Sequence, residues 1–133
     1  MMVGRQVSFA VDKKEMNRGE VVLDINNIVI KDNRELNAVN GLSLQLHKGE
    51  ILGIAGVDGN GQSEFLEGIT GLRPIESGKV ILNGEDIANT TPRNIMEKGM
   101  CNIPEDRQKR GLILDFSVAE NMILENYDKE PFS

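Results

Sequence analysis

The chain has 133 residues, 39% of them apolar, which is enough for one domain with a buried core. Lys and Arg number 15 against 21 Asp and Glu, a net charge of −6, so there is no global basic field to draw nucleic acid or an anionic membrane surface. One cysteine, Cys101, excludes an internal disulfide and a cysteine-built metal site, suits a reducing compartment, and is expected as an inert buried thiol.

The opening "MMVGRQVSFAVDKKEMNRGE" has no apolar core of signal-peptide length, and the longest apolar stretches fall far short of a membrane span, so the chain reads as cytoplasmic. Residues 1–19 mix charges with few periodic apolar positions and read as a linker or extended arm, with a domain beginning near Glu20. "VVLDINNIVI" and "LSLQLH" alternate partially and predict half-exposed strands, whereas "KGEILGIAG" is a short continuous apolar run expected as a central strand of a buried parallel sheet. Next comes "GVDGNGQS", residues 56–63, and then a helix that Ser63 is expected to cap. Phe65, Leu66 and Ile69 share a face of that helix, and Gly71 and Pro74 stop it.

"SGKVILNGEDI" predicts a strand ending in an Asn83-Gly84 turn. "TPRNIMEKG" predicts a short helix, with Thr91 as cap, Pro92 at the first helical position and Gly99 as stop. "MCNI" reads as a returning strand before the charged loop "PEDRQKRG". "SVAENMILEN" predicts a last helix with a Ser117 and Glu120 capping box. No internal repeat is present.

The stretch at 56–63 has the frame of a phosphate-binding loop, G-x-x-x-x-G-K-[ST], with Gln62 in place of the lysine. Gly56, Gly59 and Gly61 let consecutive N–H groups face one concavity, to which the following helix presents its positive end. Ser63 supplies the hydroxyl that such loops place on magnesium; the lysine's charge is missing. A plain strand-to-helix turn is the alternative. Alternating Asp58, Asn60 and Gln62 also suggest a calcium loop, but that pattern needs glycine and glutamate where this chain has Ser63 and Ile69.

Taken together, "INNIVI", "AVNGLSLQLHKGEILGIAGVDGNGQSEFLEGITGLRPIESGKVILNGEDI" and "IPEDRQKRGLILDFSVAEN" resemble the nucleotide-binding domain of ATP-binding cassette (ABC) transporters. The pair "AGVDGNGQSE" and "IPEDRQKRGLILDFSVAEN", preceded by "MVGR", is similar to the second cassette of the double-cassette ATPases that energise bacterial uptake of simple sugars and nucleosides. The resemblance runs from about residue 2 to residue 126.

It implies an α/β fold: a P-loop NTPase, RecA-like core carrying an N-terminal antiparallel β subdomain. It also implies two cassettes closing on ATP. No LSGGQ-like signature and no Walker B strand ending in Asp-Glu follow, and His47 lies too early for the switch histidine. Residues 1–19 are therefore expected as an arm from a preceding cassette and 20–133 as a partial nucleotide-binding domain, the front portion of a longer protein. This portion alone is not expected to hydrolyse ATP, and no catalytic residue is assigned in it.

The same resemblance places ATP at Gly56, Asp58, Gly59, Asn60, Gly61, Gln62, Ser63 and Glu64, and Mg2+ at Ser63 and at Glu105, where cassettes usually have glutamine. Gln62 and Glu105 together change the charge beside a polyanion by minus two. At about 4 Å and an effective dielectric near 20, one unit charge pair is worth roughly 4 kcal/mol before screening and desolvation. Arg107, Lys109 and Arg110 are counterweights or a solvated loop, and no aromatic stands near residues 30–32 to stack on adenine.

A weak or regulatory nucleotide site is therefore expected, paired with an active one formed mainly by the first cassette. The alternative is a scaffold cassette that dimerises and docks the membrane subunit without nucleotide; an unrelated P-loop kinase or GTPase fits the flanking segments poorly. Ile113 and Phe116, in the apolar cluster of "GLILDF", fall where cassettes receive a coupling helix from a transmembrane permease subunit, which would hold the protein at the inner face of the cell membrane. Ordinary core packing is the other reading of that cluster. Apolar surface left uncovered predicts self-association of the fragment or swapping of its last helix.

Overall fold

A computed structural model describes residues 17–132; the expected arm falls outside it except for its last three residues. The chain forms two compact units, up to Gly99 and from Met100 onward.

The first unit is built on a hairpin. Strand β1, Val21–Lys31, buries Leu23 and Ile25 and then Ile28 and Ile30. Strict alternation would have carried the buried face on to residue 27, but a register shift between Ile25 and Ile28 inserts one residue, with Asn27 at φ 50°. This bulge lets both isoleucine pairs reach one core. Strand β2, Asn37–His47, pairs antiparallel with β1 and starts earlier than the sequence pattern marked. The intervening turn is held by Asp32, whose Oδ1 accepts from the N–H groups of Arg34 and Leu36 at 2.8 and 3.0 Å.

Helix α1, Gln62–Ile69, follows the glycine loop and buries Phe65 and Ile69. Two of its expected features need correction. Its cap is Gly61, in the left-handed region, and not Ser63, which lies inside the first turn with no side-chain cap bond. Leu66 is 46% exposed, because the buried stripe of so short a helix passes through Phe65, Gly68 and Ile69.

Strands β3, Ser77–Leu82, and β4, Glu85–Asp86, make a hairpin through Asn83 (φ 50°) and Gly84 (φ 86°), a two-residue turn with both φ values positive. The sheet order among the described residues is β2-β1-β3-β4, all antiparallel. Helix α2, Pro92–Glu97, is capped by Thr91 accepting from the Asn94 N–H, as read from the sequence. Its Ile95 joins Val39, Ile75, Val80, Leu82 and Ile87 in the core.

The expected central strand at 48–56 forms no ladder among the described residues. Ile51 is 94% exposed, and Leu52, Ile54 and Val57 are exposed too. A parallel strand is buried only by neighbours that pair with it and helices that cover it; no described strand does the first.

In the second unit, "MCNI" is likewise not a strand: Ile103 is 92% exposed, and Cys101 is exposed rather than buried. A π-helical turn, Arg107–Gly111, starts at Asp106, whose carboxylate accepts from the Gln108 and Lys109 N–H groups. Helix α3, Val118–Ile123, carries the expected capping box, shorter than the ten-residue segment that predicted it.

Candidate functional site

The candidate loop spans the chain from Gly56 to α1. Gly59 and Gly61 sit at φ 82° and 92°, a region that costs a side chain about 1–2 kcal/mol. The Asn60 N–H closes a turn onto the Val57 carbonyl at 3.3 Å, and the Phe65 N–H donates to Gly61 O at 2.8 Å, which starts the helix. Ahead of that first bond, the N–H groups of Gln62, Ser63 and Glu64 have no backbone acceptor among the described residues. These donors and the helix dipole have the polarity that favours an anion.

Gln62 lies across the loop. Its Nε2 donates to the Val57 carbonyl at 3.3 Å, and the amide passes so close over Gly56 that a β-carbon there would stand 2.8 Å from the Gln62 Cδ. A side chain at 56 would displace the Gln62 amide from this path, which a flexible glutamine can accommodate by changing rotamer. Gly61 is required by a different neighbour, since a methyl group on it would overlap the Ala38 carbonyl oxygen of β2. The loop is therefore anchored to the hairpin at its helix end.

On the β2 side lies a cavity of about 670 Å³, lined from the loop by Gly56, Asn60, Gly61 and Gln62 and from the sheet and helix by Val39 and Phe65. Asp58, Gly59, Ser63 and Glu64 are not on its wall. Ser63 is exposed, and half-buried Glu64 puts a negative charge in the first turn, favourable to the dipole and unfavourable to a bound phosphate.

The backbone fits a phosphate, with left-handed glycines, free first-turn N–H groups and a close glycine at 56. The side chains bring no cation into the loop. No group of three or more His, Cys, Asp or Glu suited to a metal occurs among the described residues. Magnesium held mainly through phosphates and a hydroxyl such as that of Ser63 needs no such group.

Two residues of this unit were not singled out by sequence reasoning. Arg73, just past α1, donates from Nε to Glu67 at 2.8 Å, from one terminal nitrogen to Lys31 O at 3.0 Å and from the other to Asn33 Oδ1 at 3.0 Å. One planar fork thus ties the helix end to the β1–β2 turn. Glu50, with its side chain 9% exposed, accepts from the His47 N–H and pairs with Arg18 at 3.1 Å, fixing the chain just before the loop. A basic residue just past a helix stop was the one available signal for Arg73.

In the second unit Glu105 is exposed, outside regular structure. Ile113 and Phe116 are 42% and 44% exposed. With Leu112, Leu114, Val118 and Met122 they line an apolar groove of about 320 Å³. Core packing therefore does not account for this cluster in the unit as described.

The sequence pattern of the family described as ABC transporter matches residues 39–131. Among curated proteins, the guanosine import ATP-binding protein NupO of Bacillus subtilis is 53% identical over all 133 residues, which span 26% of its length. The nucleoside import ATP-binding protein NupA of Lactococcus lactis is 47% identical over the same span, again 26% of its length. The glucose import ATP-binding protein TsgD13 of Haloferax volcanii is 39% identical over 99% of this chain and 24% of its own. The chain thus spans about a quarter of the length of these relatives.

Among solved structures, the ADP conformation of an ATP-binding cassette of an ABC transporter superposes with TM-score 0.57 at 31% identity, covering 60% of this chain and 31% of that one. A nucleotide-free ATP-binding cassette gives 0.61 at 21% identity over 84% and 48%, a likeness of fold. The fold is that of a P-loop NTPase cassette with an antiparallel sheet at its N-terminal side. With its family pattern spread over most of its length, the chain belongs to the ABC transporter family.

Proposed function

We propose that residues 20–133 are the front portion of the second cassette of a double-cassette ATPase, with residues 1–19 as the arm from the first. The whole protein energises import of a nucleoside or a simple sugar through transmembrane permease subunits, which hold it at the inner face of the cell membrane. Identity of 53% and 47% to two nucleoside import proteins supports a nucleoside over a sugar. Among the described residues no helix is long and apolar enough to cross a membrane. The exposed apolar side chains of Ile113 and Phe116 support docking of an apolar-faced helix from a permease subunit.

In this portion the function is nucleotide binding, weak or regulatory, at Gly56 and residues 58–64, with Ser63 offering its hydroxyl to magnesium. The carrying observation is Gln62: it keeps the loop closed through Val57 O but brings a neutral amide where these loops have a cation. ATP, when bound, supplies the phosphoryl chemistry. What this chain contributes is backbone donors for the phosphates and a fixed approach of β2 to the loop.

The test is titration of a fluorescent ATP analogue with magnesium into the chain and into Gln62→Lys, at low and moderate salt. Lysine should tighten binding roughly tenfold, the remainder of a pair energy near 4 kcal/mol after screening and desolvation, and the gain should shrink with salt. Binding that lysine does not tighten would reject the lost-charge reading; absence of binding in both proteins at both salt levels would leave a loop that needs the rest of the cassette to form, or a scaffold that docks the permease without ATP.

A further inference from the structure

The loop that carries Ile113 and Phe116 is held by one side chain. Asn121, half-buried on α3, accepts the Ile113 N–H on Oδ1 at 2.9 Å. Its Nδ2 faces three carbonyls, of Ile113 at 3.1 Å, Phe116 at 3.2 Å and Ser117 at 3.0 Å. An amide has one acceptor oxygen and two N–H donors, and all are engaged here. Both backbone polar groups of Ile113 are thereby satisfied at once, as they would be by a neighbouring strand, in a stretch that belongs to no strand.

The remaining restraints on this loop are local. The Phe116 N–H donates to Ile113 O at 3.0 Å, and the capping box joins Ser117 to Glu120. Neither fixes the Ile113 N–H. α3 has six residues, too few to persist without tertiary support, and its exposed apolar residues Val118 and Met122 flank Asn121 in the same groove. The amide thus joins two weak elements, the loop and the helix, into one groove wall.

We infer that Asn121 is a positioning residue for the permease contact: by clamping residues 113–117 onto α3, it forms the apolar groove before the partner helix arrives. This rests on the docking reading above. A groove already formed spares the partner the entropy of ordering the loop, so removing the clamp weakens association without altering the nucleotide loop.

The experiment pairs amide hydrogen exchange with permease association in the full-length protein assembled with its membrane subunits. In Asn121→Ala the Ile113 amide should exchange at least tenfold faster, and association should weaken roughly tenfold or more, the scale of one or two lost hydrogen bonds. ATP-analogue affinity should stay the same. Asn121→Asp sets a carboxylate oxygen against the Ile113, Phe116 and Ser117 carbonyls where the amide donated, so it should also speed Ile113 exchange and weaken association. It also carries the test if the alanine variant does not fold.

Ile113→Asp, with Asn121 intact, separates the two ideas. If it weakens association and Asn121→Ala does not, the clamp role is overturned and the docking surface stands. If it leaves association unchanged, the docking surface is wrong and this inference falls with it.

Discussion

Replacing Gly61 by alanine, compared with the same change at Gly59, tests whether the glycine loop is seated on the hairpin as described. Both residues have positive φ, 92° and 82°, so each alanine carries about 1–2 kcal/mol of left-handed strain. Each also gains about 0.4–1 kcal/mol from a less flexible unfolded chain. The surroundings separate them. Nothing lies within 4 Å of a β-carbon at Gly59, whereas at Gly61 it overlaps the Ala38 carbonyl oxygen and stands 3.0 Å from the carbonyl carbon.

Both atoms are backbone in a paired strand, so neither can rotate away. Forcing them apart adds about 1–3 kcal/mol, the usual cost of overpacking. Gly59→Ala should therefore destabilise by at most about 1.6 kcal/mol and Gly61→Ala by about 1–4.6 kcal/mol. In thermal unfolding followed by circular dichroism, the second variant should melt roughly 5–15 °C below the first. Equal melting temperatures would refute the close approach of the loop to β2, and with it the geometry on which the proposed phosphate site rests.

Arg73→Ala should cost about 2–3 kcal/mol in urea unfolding, because the Glu67 side chain, 16% exposed, loses its guanidinium while Lys31 O and Asn33 lose donors. Arg73→Lys should recover part of this, since an ammonium serves the carboxylate but not the planar three-way fork. The Glu120 carboxyl is held below its ordinary value, first by the Ser117 hydroxyl and then by the Ser117 N–H. With the folded value depressed, its support of α3 is complete above the ordinary carboxylate range and is lost as pH falls through the folded value. Amide exchange of residues 117–121 should therefore quicken beyond its intrinsic rate as pH falls below the ordinary carboxylate range, and Ser117→Ala should flatten that dependence.

What the sequence disclosed follows from where each element finds its stabilisation. β3 and α2 were read with their turn and cap, because Asn83-Gly84 and Thr91-Pro92 act within a few residues; β4, the two residues after the turn, was not. β1 was read as a strand, but its bulge was not, because one inserted residue changes the face of everything after it while composition stays the same. Residues 48–56 read as a buried strand because their run from Ile51 is apolar, yet burial is conferred by neighbours distant in sequence, and no described strand pairs with them. Cys101 was misplaced for the same reason. In the site, glycines and Gln62 were visible as a motif, but the crossing of Gln62 over Gly56 and the clamp at Asn121 are side-chain paths to backbone atoms, which residue spacing does not encode.

The change at residue 62 then has two physical parts. One is the missing unit charge, which weakens with salt. The other is donor supply: a glutamine amide has two N–H bonds fixed in one plane, and here one of them lies on Val57 O, whereas an ammonium has three donors that rotate. A lysine can hold a loop carbonyl and reach an anion in any of several orientations; Gln62 reaches a phosphate only where its amide plane points, or by releasing Val57 and opening the loop. The trade of one neutral hydrogen bond for another is close to balanced, worth about 0.5–1.5 kcal/mol either way. The salt dependence of the Gln62→Lys gain therefore sets a lower bound on the charge part: the fraction that fades with ionic strength belongs to charge, and the fraction that persists combines the geometry of the amide with contact charge that salt screens little.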